Sequence, residues 1–315
     1  MTLEKRLEQV LTPALGPVTI GNLRLLTGGA SRTTYAFDAG GRALILRTAP
    51  PAENYAGMEL EAAAQSAAAA AGAPVPHVLM ASDSTAPLGE SFLICEALAG
   101  ETIVRRIQRR LDDKGRATLL RQCARALAAI HCAHTDNSGL TEQDQLTEYR
   151  QHLDEIGDTT ATFEWAFRWL AANRPARSPK VLVHGDFRMG NLIVDGANLA
   201  AVLDWELVHI GEAYEDLAWF CIRAWRFGAP AALAAGGLGS VEAFVTGYEQ
   251  AGGRPVDRAA LHWWLVLATL RWGVICRMQA QRHLSGQTRS VELVAIGRRV
   301  HETEWDLLDL LEGTR

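Results

Sequence analysis

Between His184 and Glu206 the chain reads H-G-D-F-R-M-G-N-L-I-V-D-G-A-N-L-A-A-V-L-D-W-E, a string that few folds can accommodate. Two apolar runs, residues 192–194 and 201–203, flank the turn formers Asp195, Gly196 and Asn198, a pattern that predicts a β-hairpin. Pairing Val194 with Ala201 sets Asn191 opposite Asp204 at the open end of the hairpin. A side-chain carbonyl oxygen and a carboxylate side by side suit Mg²⁺, which prefers oxygen ligands. Asp186 lies five residues before Asn191, on the loop entering the hairpin.

The Asp-x-x-x-x-Asn spacing is also that of the catalytic loop of kinases, with Gly185 in place of an arginine. Each residue then has a task. Asp186 would accept the proton of an attacking hydroxyl and orient it. Asn191 and Asp204 would hold Mg²⁺ against nucleotide phosphates. Singly, Asp-Gly and Gly-Asn pairs merely make turns; the combination with L-D-W-E at 203–206 in one hairpin points to chemistry.

A chain of 315 residues has room for two lobes and a sizeable core. With a net charge of −5 and no basic block, it is not expected to bind nucleic acid. Its uninterrupted apolar runs fall far short of the ~18 residues of a membrane span, and the charged first eleven residues do not read as a secretory signal. The five cysteines form no C-x-x-C pair, which predicts reduced, mostly core thiols in a cytoplasmic protein.

In chain order, residues 3–11 have helical spacing. Strands are expected at 18–26 and 33–38, separated by Thr27-Gly28-Gly29-Ala30-Ser31-Arg32. That turn is either a plain hairpin turn or a cover for phosphate oxygens. Gly28 and Gly29 would let main-chain N–H groups approach, and Ser31 and Arg32 would add a hydroxyl and a cation. A third strand, 43–47, ends in the cation Arg47, where the kinase template puts a phosphate-contacting lysine that pairs with a helix glutamate. An Ala-rich helix follows over 59–71 and is ended by Gly72 and Pro74. Glu61, or secondarily Glu59, is the expected partner of Arg47; alternatively both are solvated first-turn residues that suit the helix dipole. Two more strands at 75–81 and 91–95 lead into Cys95-Glu96-Ala97-Leu98-Ala99-Gly100, read as the hinge between a sheet lobe (1–98) and a helical lobe (99–315). A nucleotide base would dock at this hinge around Glu96.

The remainder reads as helical. Residues 119–132 form a helix ending near His131, which is expected to cap or pack it. Residues 142–170 are amphipathic, and strand 181–183 leads into the central stretch. After Glu206, Asp216 would cap a helix or brace the catalytic loop. Helices then follow over 217–226, 241–251, 258–281 and 290–311.

Together these residues resemble the aminoglycoside phosphotransferase and choline kinase-like family. The resemblance is carried by H-G-D-F-R-M-G-N, L-D-W-E and G-E-A-Y-E-D-L-A, with support from G-G-A-S-R-T-T-Y, L-I-L-R and G-A-P-V-P. It implies an α+β, protein-kinase-like two-lobed fold with a small antiparallel-sheet lobe carrying one main helix and a larger, mostly helical lobe. It implies a kinase acting on a small-molecule hydroxyl, with Asp186 as base, Asn191 and Asp204 binding Mg²⁺, and Arg47 with Glu61 positioning ATP (or GTP). The family's lysine is arginine here, and its usual G-D-P is Gly211-Glu212-Ala213.

The acceptor is open between an aminoglycoside, an amino alcohol and a hydroxyacyl thioester, the last because the chain is also similar to kinase domains attached to acyl-CoA dehydrogenases. From Glu206 onward there are 13 acidic and 11 basic residues, the latter all arginine. That balance favours an acceptor other than a polycation. Candidate contacts are Glu206, Arg223, Trp225 and Arg226; the same residues also fit a core helix bundle with exposed arginines. A protein kinase is disfavoured by the absence of G-x-G-x-x-G and A-P-E. A pseudokinase or scaffold is disfavoured by the joint presence of Asp186, Asn191 and Asp204.

Overall fold

The computed structural model describes residues 1–26, 32–49, 57–135 and 139–312. Helix α1 (Leu3–Leu15) comes first. Strands β1 (Ile20–Leu26), β2 (Thr33–Ala39) and β3 (Arg42–Ala49) form an antiparallel meander, with Tyr35 opposite Leu46 and Thr34 opposite Arg47. Helix α2 (Met58–Ala70) is followed by β4 (Val78–Ser82) and β5 (Ser91–Glu96). The five strands make one sheet in the order β1-β2-β3-β5-β4. Strand β3 alternates: Leu44 and Leu46 are fully buried against Leu7 and Leu11 of α1, Phe37 and Phe92, as a period of two requires. Helix α2 covers the other face, where Met58 packs with Leu93 and Cys95. Its alanines permit a close approach, and Glu61, Ala64, Gln65 and Ala68 form its buried stripe.

The expected lobe boundary after residue 98 lies between β5 and α3 (Val104–Arg110). Gly100 there has φ +143°, and a Cβ would strike Ile193 and meet the Val194 carbonyl, so the connection lies hard against the central hairpin. Helices α4 (Asp113–His131), α5 (Gln145–Ile156) and α6 (Ala161–Ala172) follow, then β6 (Lys180–Val183), β7 (Leu192–Asp195), β8 (Asn198–Val202) and β9 (His209–Glu212). Asp112, Asp144 and Thr160 cap their helices with side-chain oxygens, each worth about 1 kcal/mol. The amphipathic stretch at 142–170 is therefore two helices, broken at Gly157 in the left-handed region.

Helices α7 (Tyr214–Cys221), α8 (Val241–Gln250), α9 (Arg258–Leu284), α10 (Val291–Gly297) and α11 (Val300–Glu312) complete the fold. Helix α9 is long and apolar enough to cross a membrane by length and composition, yet 78% of that stretch is buried inside the fold. It is the core helix of the large lobe, packed among α5, α6, α7, α10 and α11. Cys95, Cys123, Cys221 and Cys276 are buried thiols and Cys132 is exposed.

The hairpin β7–β8 exists, but its register differs from the expected one. Ile193, not Val194, pairs with Ala201, and Val194 pairs with Leu199 across an irregularity. The two-residue turn Gly196–Ala197 fixes Asp195 opposite Asn198, which leaves Ala200 unpaired as a bulge. The chain then leaves the ladder at Asp204, which has φ +66°.

Candidate active site

Strand β6 delivers the chain to His184, Gly185 and Asp186. Gly185 has φ +85°, and a side chain there would collide with the Leu207 carbonyl; only glycine lets the two backbones meet. The loop is gripped from behind by Asp216 of α7. Its Oδ2 accepts from the His184 N–H (2.8 Å) and its Oδ1 from the Gly185 N–H (2.9 Å), while His131 Nε2 lies 3.2 Å from Oδ2. Burial alone would raise this carboxyl, but His131 and the main-chain donors hold it below the usual carboxylate range. Of the two roles expected for Asp216, the brace is the observed one; α7 has no side-chain cap. His131 neither caps nor merely packs: it links Asp216 to Tyr248 Oη, 2.9 Å from Nδ1.

His184 is fully buried. Its Nδ1 accepts from the Asp186 N–H at 3.2 Å, and Nε2 lies 3.0 Å from the Leu203 carbonyl. Burial lowers its pKa, consistent with a neutral ring donating through Nε2. The ring thus ties the catalytic-loop candidate to the strand end that precedes Asp204.

Asp186 receives three side chains. Asn191 Nδ2 donates to Oδ2 at 2.7 Å, Trp219 Nε1 donates to Oδ1 at 2.7 Å, and Arg188 Nε stands 3.0 Å from both oxygens. Asn191 Nδ2 also lies 3.0 Å from the Asp186 carbonyl, which turns its Oδ1 the other way. The Leu203 N–H bonds the Asn191 carbonyl at 2.8 Å, so Asn191 is next to Leu203, one residue short of the expected alignment with Asp204.

On the sheet side Glu61 pairs with Arg47 as expected and also with a second cation, Arg32. Glu61 is fully buried and its closest partner is Arg32, which grips it with both terminal nitrogens, NH1 at 2.6 Å. Arg47 NH1 is 3.7 Å from Glu61, and Arg47 NH2 bonds Asp204 at 2.6 Å. Arg32 Nε also pairs with Glu206 at 3.2 Å. Arg32 is the closer of the two because β2 places it one residue before the sheet begins, over the first turn of α2, while Arg47 on β3 is shared between Glu61 and Asp204. Glu59, the second expected partner, instead accepts from the Asp83 N–H at 3.1 Å. Burial would raise the Asp204 carboxyl, but Arg47 beside it brings it below the usual carboxylate range.

Gly28, Gly29 and Ser31 lie outside the described residues. Glu96 is the last residue of β5, opposite Leu44, with its N–H on the His77 carbonyl at 3.0 Å. The acceptor candidates separate. Glu206 is held by Arg32. Arg223 is exposed and bonded to Asp306 of α11 at 2.7 Å. Trp225 is buried against Trp219 and Trp272, with ring centroids 5.3 and 4.7 Å away. Arg226 gives its carbonyl to Gln108 at 3.0 Å, and its buried Nε has no partner among the described residues.

Three side chains at the site were not singled out as functional by the sequence. Arg188 sits over the Trp225 ring at 4.8 Å as well as on Asp186; its signal was a cation inside the Asp-x-x-x-x-Asn motif. Trp219 follows Asp216 by three residues. Arg271 is the one Lys, Arg, Asp or Glu between Arg258 and Arg277 of α9, and a lone charge in so apolar a stretch is a signal in itself.

The model of the phosphotransferase enzyme family matches residues 22–263. Among curated proteins, acyl-CoA dehydrogenase family member 10 of Mus musculus is 28% identical over 69% of this chain, and member 11 of Gallus gallus is 30% identical over 63%. These matches span only 22% and 27% of the relatives' own length. Among solved structures, a provisionally named aminoglycoside phosphotransferase from Ralstonia eutropha superposes with a TM-score of 0.81 at 21% identity, over 98% of both chains. An aminoglycoside phosphotransferase in ternary complex with AMP-PNP and hygromycin B gives 0.65 at 19% over 97% of both. A choline/ethanolamine kinase family protein from Mesorhizobium loti gives 0.65 at 18%, over 99% of this chain and 95% of that one. These superpositions establish the kinase-like fold.

Proposed function

The chain belongs to the phosphotransferase enzyme family, and on that premise we propose that it transfers the terminal phosphoryl group of ATP, with Mg²⁺, to a hydroxyl of a small molecule, using Asp186 as the base. The observation that carries this reading is the Asp186 carboxylate, oriented by Asn191 at 2.7 Å on a loop that Asp216 grips through two main-chain N–H groups. Such a carboxylate can accept a hydroxyl proton without turning.

The donor set fits a divalent cation. Asn191 presents Oδ1 away from Asp186, and Asp204 stays ionised beside Arg47. Among the described residues no three His, Cys, Asp or Glu side chains cluster as a metal cage. One carboxylate and one amide oxygen, completed by phosphates and water, is the pattern Mg²⁺ accepts. When bound, it neutralises phosphate charge. Arg47 and Arg32 supply cations on the sheet side, and an arginine can bridge carboxylate and phosphate. The neighbour in complex with AMP-PNP supports the use of a nucleotide, which we place in the cleft between sheet and helices. We place the lobe boundary at residue 98 and the nucleotide's base beside Glu96. Buried, unpaired cysteines support a reducing, cytoplasmic setting.

For the acceptor, Arg188 and Arg271 flank Asp186, and Glu206 is already engaged by Arg32. This environment supports an acceptor that is not a polycation. The reading is tested by Mg²⁺-dependent phosphorylation from ATP and GTP over kanamycin-like aminoglycosides, amino alcohols and hydroxyacyl thioesters. We expect transfer outside the aminoglycosides, and its loss in Asp186→Ala. Robust kanamycin phosphorylation destroyed by Glu206→Gln but indifferent to Arg223→Ala and Arg226→Ala would overturn the acceptor assignment.

A further inference from the structure

Trp219 is 2% exposed and Arg271 is 3% exposed, and both make polar contacts at the Asp186 loop besides their packing. Three described tryptophans give their indole N–H to a partner. Trp205 and Trp263 give theirs to main-chain carbonyls, of Val202 at 3.3 Å and Leu170 at 2.9 Å. Trp219 gives its own to an acid, Asp186 Oδ1, at 2.7 Å. A hydrogen bond to an ionised carboxylate is about twice as strong as one to a neutral carbonyl.

Arg271 is equally particular. A buried guanidinium ordinarily pairs with a carboxylate. Here, among the described residues, its partners are the Gly185 carbonyl (NH2, 2.7 Å), Tyr149 Oη (Nε, 3.0 Å) and the face of Trp219, 4.2 Å from the ring centroid. It therefore touches the residue before Asp186 and, at the same time, the indole that holds Asp186. A cation on the face of an indole draws electron density from the ring, and polarisation along such a chain strengthens the N–H as a donor.

We propose that Trp219 and Arg271 form a positioning clamp on Asp186, with α7 supplying the indole donor and α9 the cation that backs it and pins the loop at Gly185. Trp219 holds Oδ1 while Asn191 holds Oδ2, so the carboxylate cannot rotate about its Cβ–Cγ bond. The clamp rests on the reading of Asp186 as the base, and it adds to that reading the fixed angle from which the base works.

The test exploits a coincidence of bond count. In histidine Nε2 is three bonds from Cβ through Cδ2, as Nε1 is in tryptophan through Cδ1. Trp219→His therefore restores an N–H near the same place with poorer packing, while Trp219→Phe keeps a large apolar ring and removes the donor. Hydrolysis of Mg²⁺-ATP by the full chain, with water as acceptor, is followed by phosphate release; ADP binding is measured by calorimetry. Trp219→Phe should lower kcat roughly 10- to 100-fold with KM for ATP and ADP affinity within about twofold. Trp219→His should be the faster of the two, and Trp272→Phe in the same aromatic cluster should behave like the parent. Independently of turnover, the ¹⁵N–¹H indole resonance of Trp219, identified by its loss in Trp219→Phe, should move upfield in Asp186→Ala. If packing is the whole role, Phe outperforms His and the indole resonance stays in place, and either result overturns the clamp. Loss of turnover in Asp186→Ala with full turnover in Trp219→Phe removes the clamp alone. Parent-like turnover in Asp186→Ala removes the base assignment, and the clamp falls with it.

Discussion

On the side of Asp186 and Asp204 that faces the sheet, arginines stand in ion pairs: Arg32 with Glu61 within the sheet side, and Arg32 with Glu206 and Arg47 with Asp204 across to the segment after the hairpin. On the side that faces the helices, arginines lie on tryptophan rings: Arg188 over Trp225, Arg271 over Trp219, Arg299 over Trp272. Arg188 also pairs with Asp186 and Arg299 with Glu302, while Arg271 is tied to the Gly185 carbonyl. The same cation is put to two uses. An ion pair can be exchanged, because phosphates compete for the arginine and a divalent cation competes for the carboxylate. A guanidinium laid on a ring and tied to a main-chain carbonyl has no such competitor. If nucleotide binds as proposed, the ion pairs of the sheet-facing half are the ones it would compete with, and the Arg271 contacts of the helix-facing half are not.

Removing the carboxylate that the helix-facing half holds gives the largest expected effect. Asp186→Ala should lower phosphoryl transfer by roughly 10³-fold, the usual scale for a positioned base, while ADP affinity measured by calorimetry stays within about twofold. Equal loss of nucleotide affinity would show that Asp186 belongs to the exchangeable half.

Next in size is the rigidity of the helix-facing half. Asp216 is fully buried and satisfies His184, Gly185 and His131 together. Asp216→Ala should cost about 3–5 kcal/mol in urea unfolding. Because its folded pKa is depressed, its contribution is present above the unfolded carboxylate range and is lost as pH falls through the folded value. Parent stability should therefore decline in acid more steeply than that of Asp216→Asn. Parallel acid limbs would show that the brace carries little charge-dependent energy.

The difference between the two halves also separates what the sequence made legible from what it did not. The meander, the Ala-rich helix, the central hairpin and the helical remainder followed from periodicity and turn residues, and Asp186 and Asn191 met as their spacing required. The hairpin register was missed by one residue because it is set by where the bulge falls. The run Leu199-Ala200-Ala201 is apolar throughout and offers the ladder no alternation by which to place that bulge. That Arg32 would join Arg47 on Glu61, and hold it more closely, was also illegible. Arg32 and Arg47 are both cations at strand ends, and only the three-dimensional placement of α2 gives Arg32 the shorter reach. Trp219 was not singled out because the direction of one N–H bond is not written in hydrophobic spacing.

A smaller effect tests the exchangeable half. Arg32→Ala should impair ATP use more than Arg47→Lys, which keeps a cation near Asp204 and should retain most activity. Arg47→Ala should fall between them, with a several-fold rise in KM for ATP, of the order of 1 kcal/mol for a partly buried ion pair. Steady-state kinetics on the three variants rank them. Normal ATP turnover in Arg32→Ala would mean that Glu61 needs no cation and that the sheet side does not rearrange around it.

The smallest effect concerns a joint within the fixed half. His209 is 2% exposed, with Nδ1 2.8 Å from the Leu207 carbonyl and Nε2 2.8 Å from Glu215 Oε2. Both ring nitrogens face acceptors, so both must donate, and the imidazole is held as a cation. Burial works against that charge, but the Glu215 hydrogen bond and charge outweigh it and raise the pKa. The sign follows from the raised value: the stabilisation is complete below the unfolded histidine pKa of about 6.5 and is lost as pH rises through the folded one. Above it one of the two contacts becomes a lone pair facing an oxygen. Glu215 precedes Asp216, so this joint lies directly behind the brace on the Asp186 loop. The parent should unfold at lower urea at pH 9 than at pH 6, by ~1 kcal/mol, the scale of one hydrogen bond, and His209→Gln should show a smaller difference between the two. Identical pH dependence in both proteins would mean that His209 is neutral in the fold and that the helix-facing half contains no titratable joint at this position.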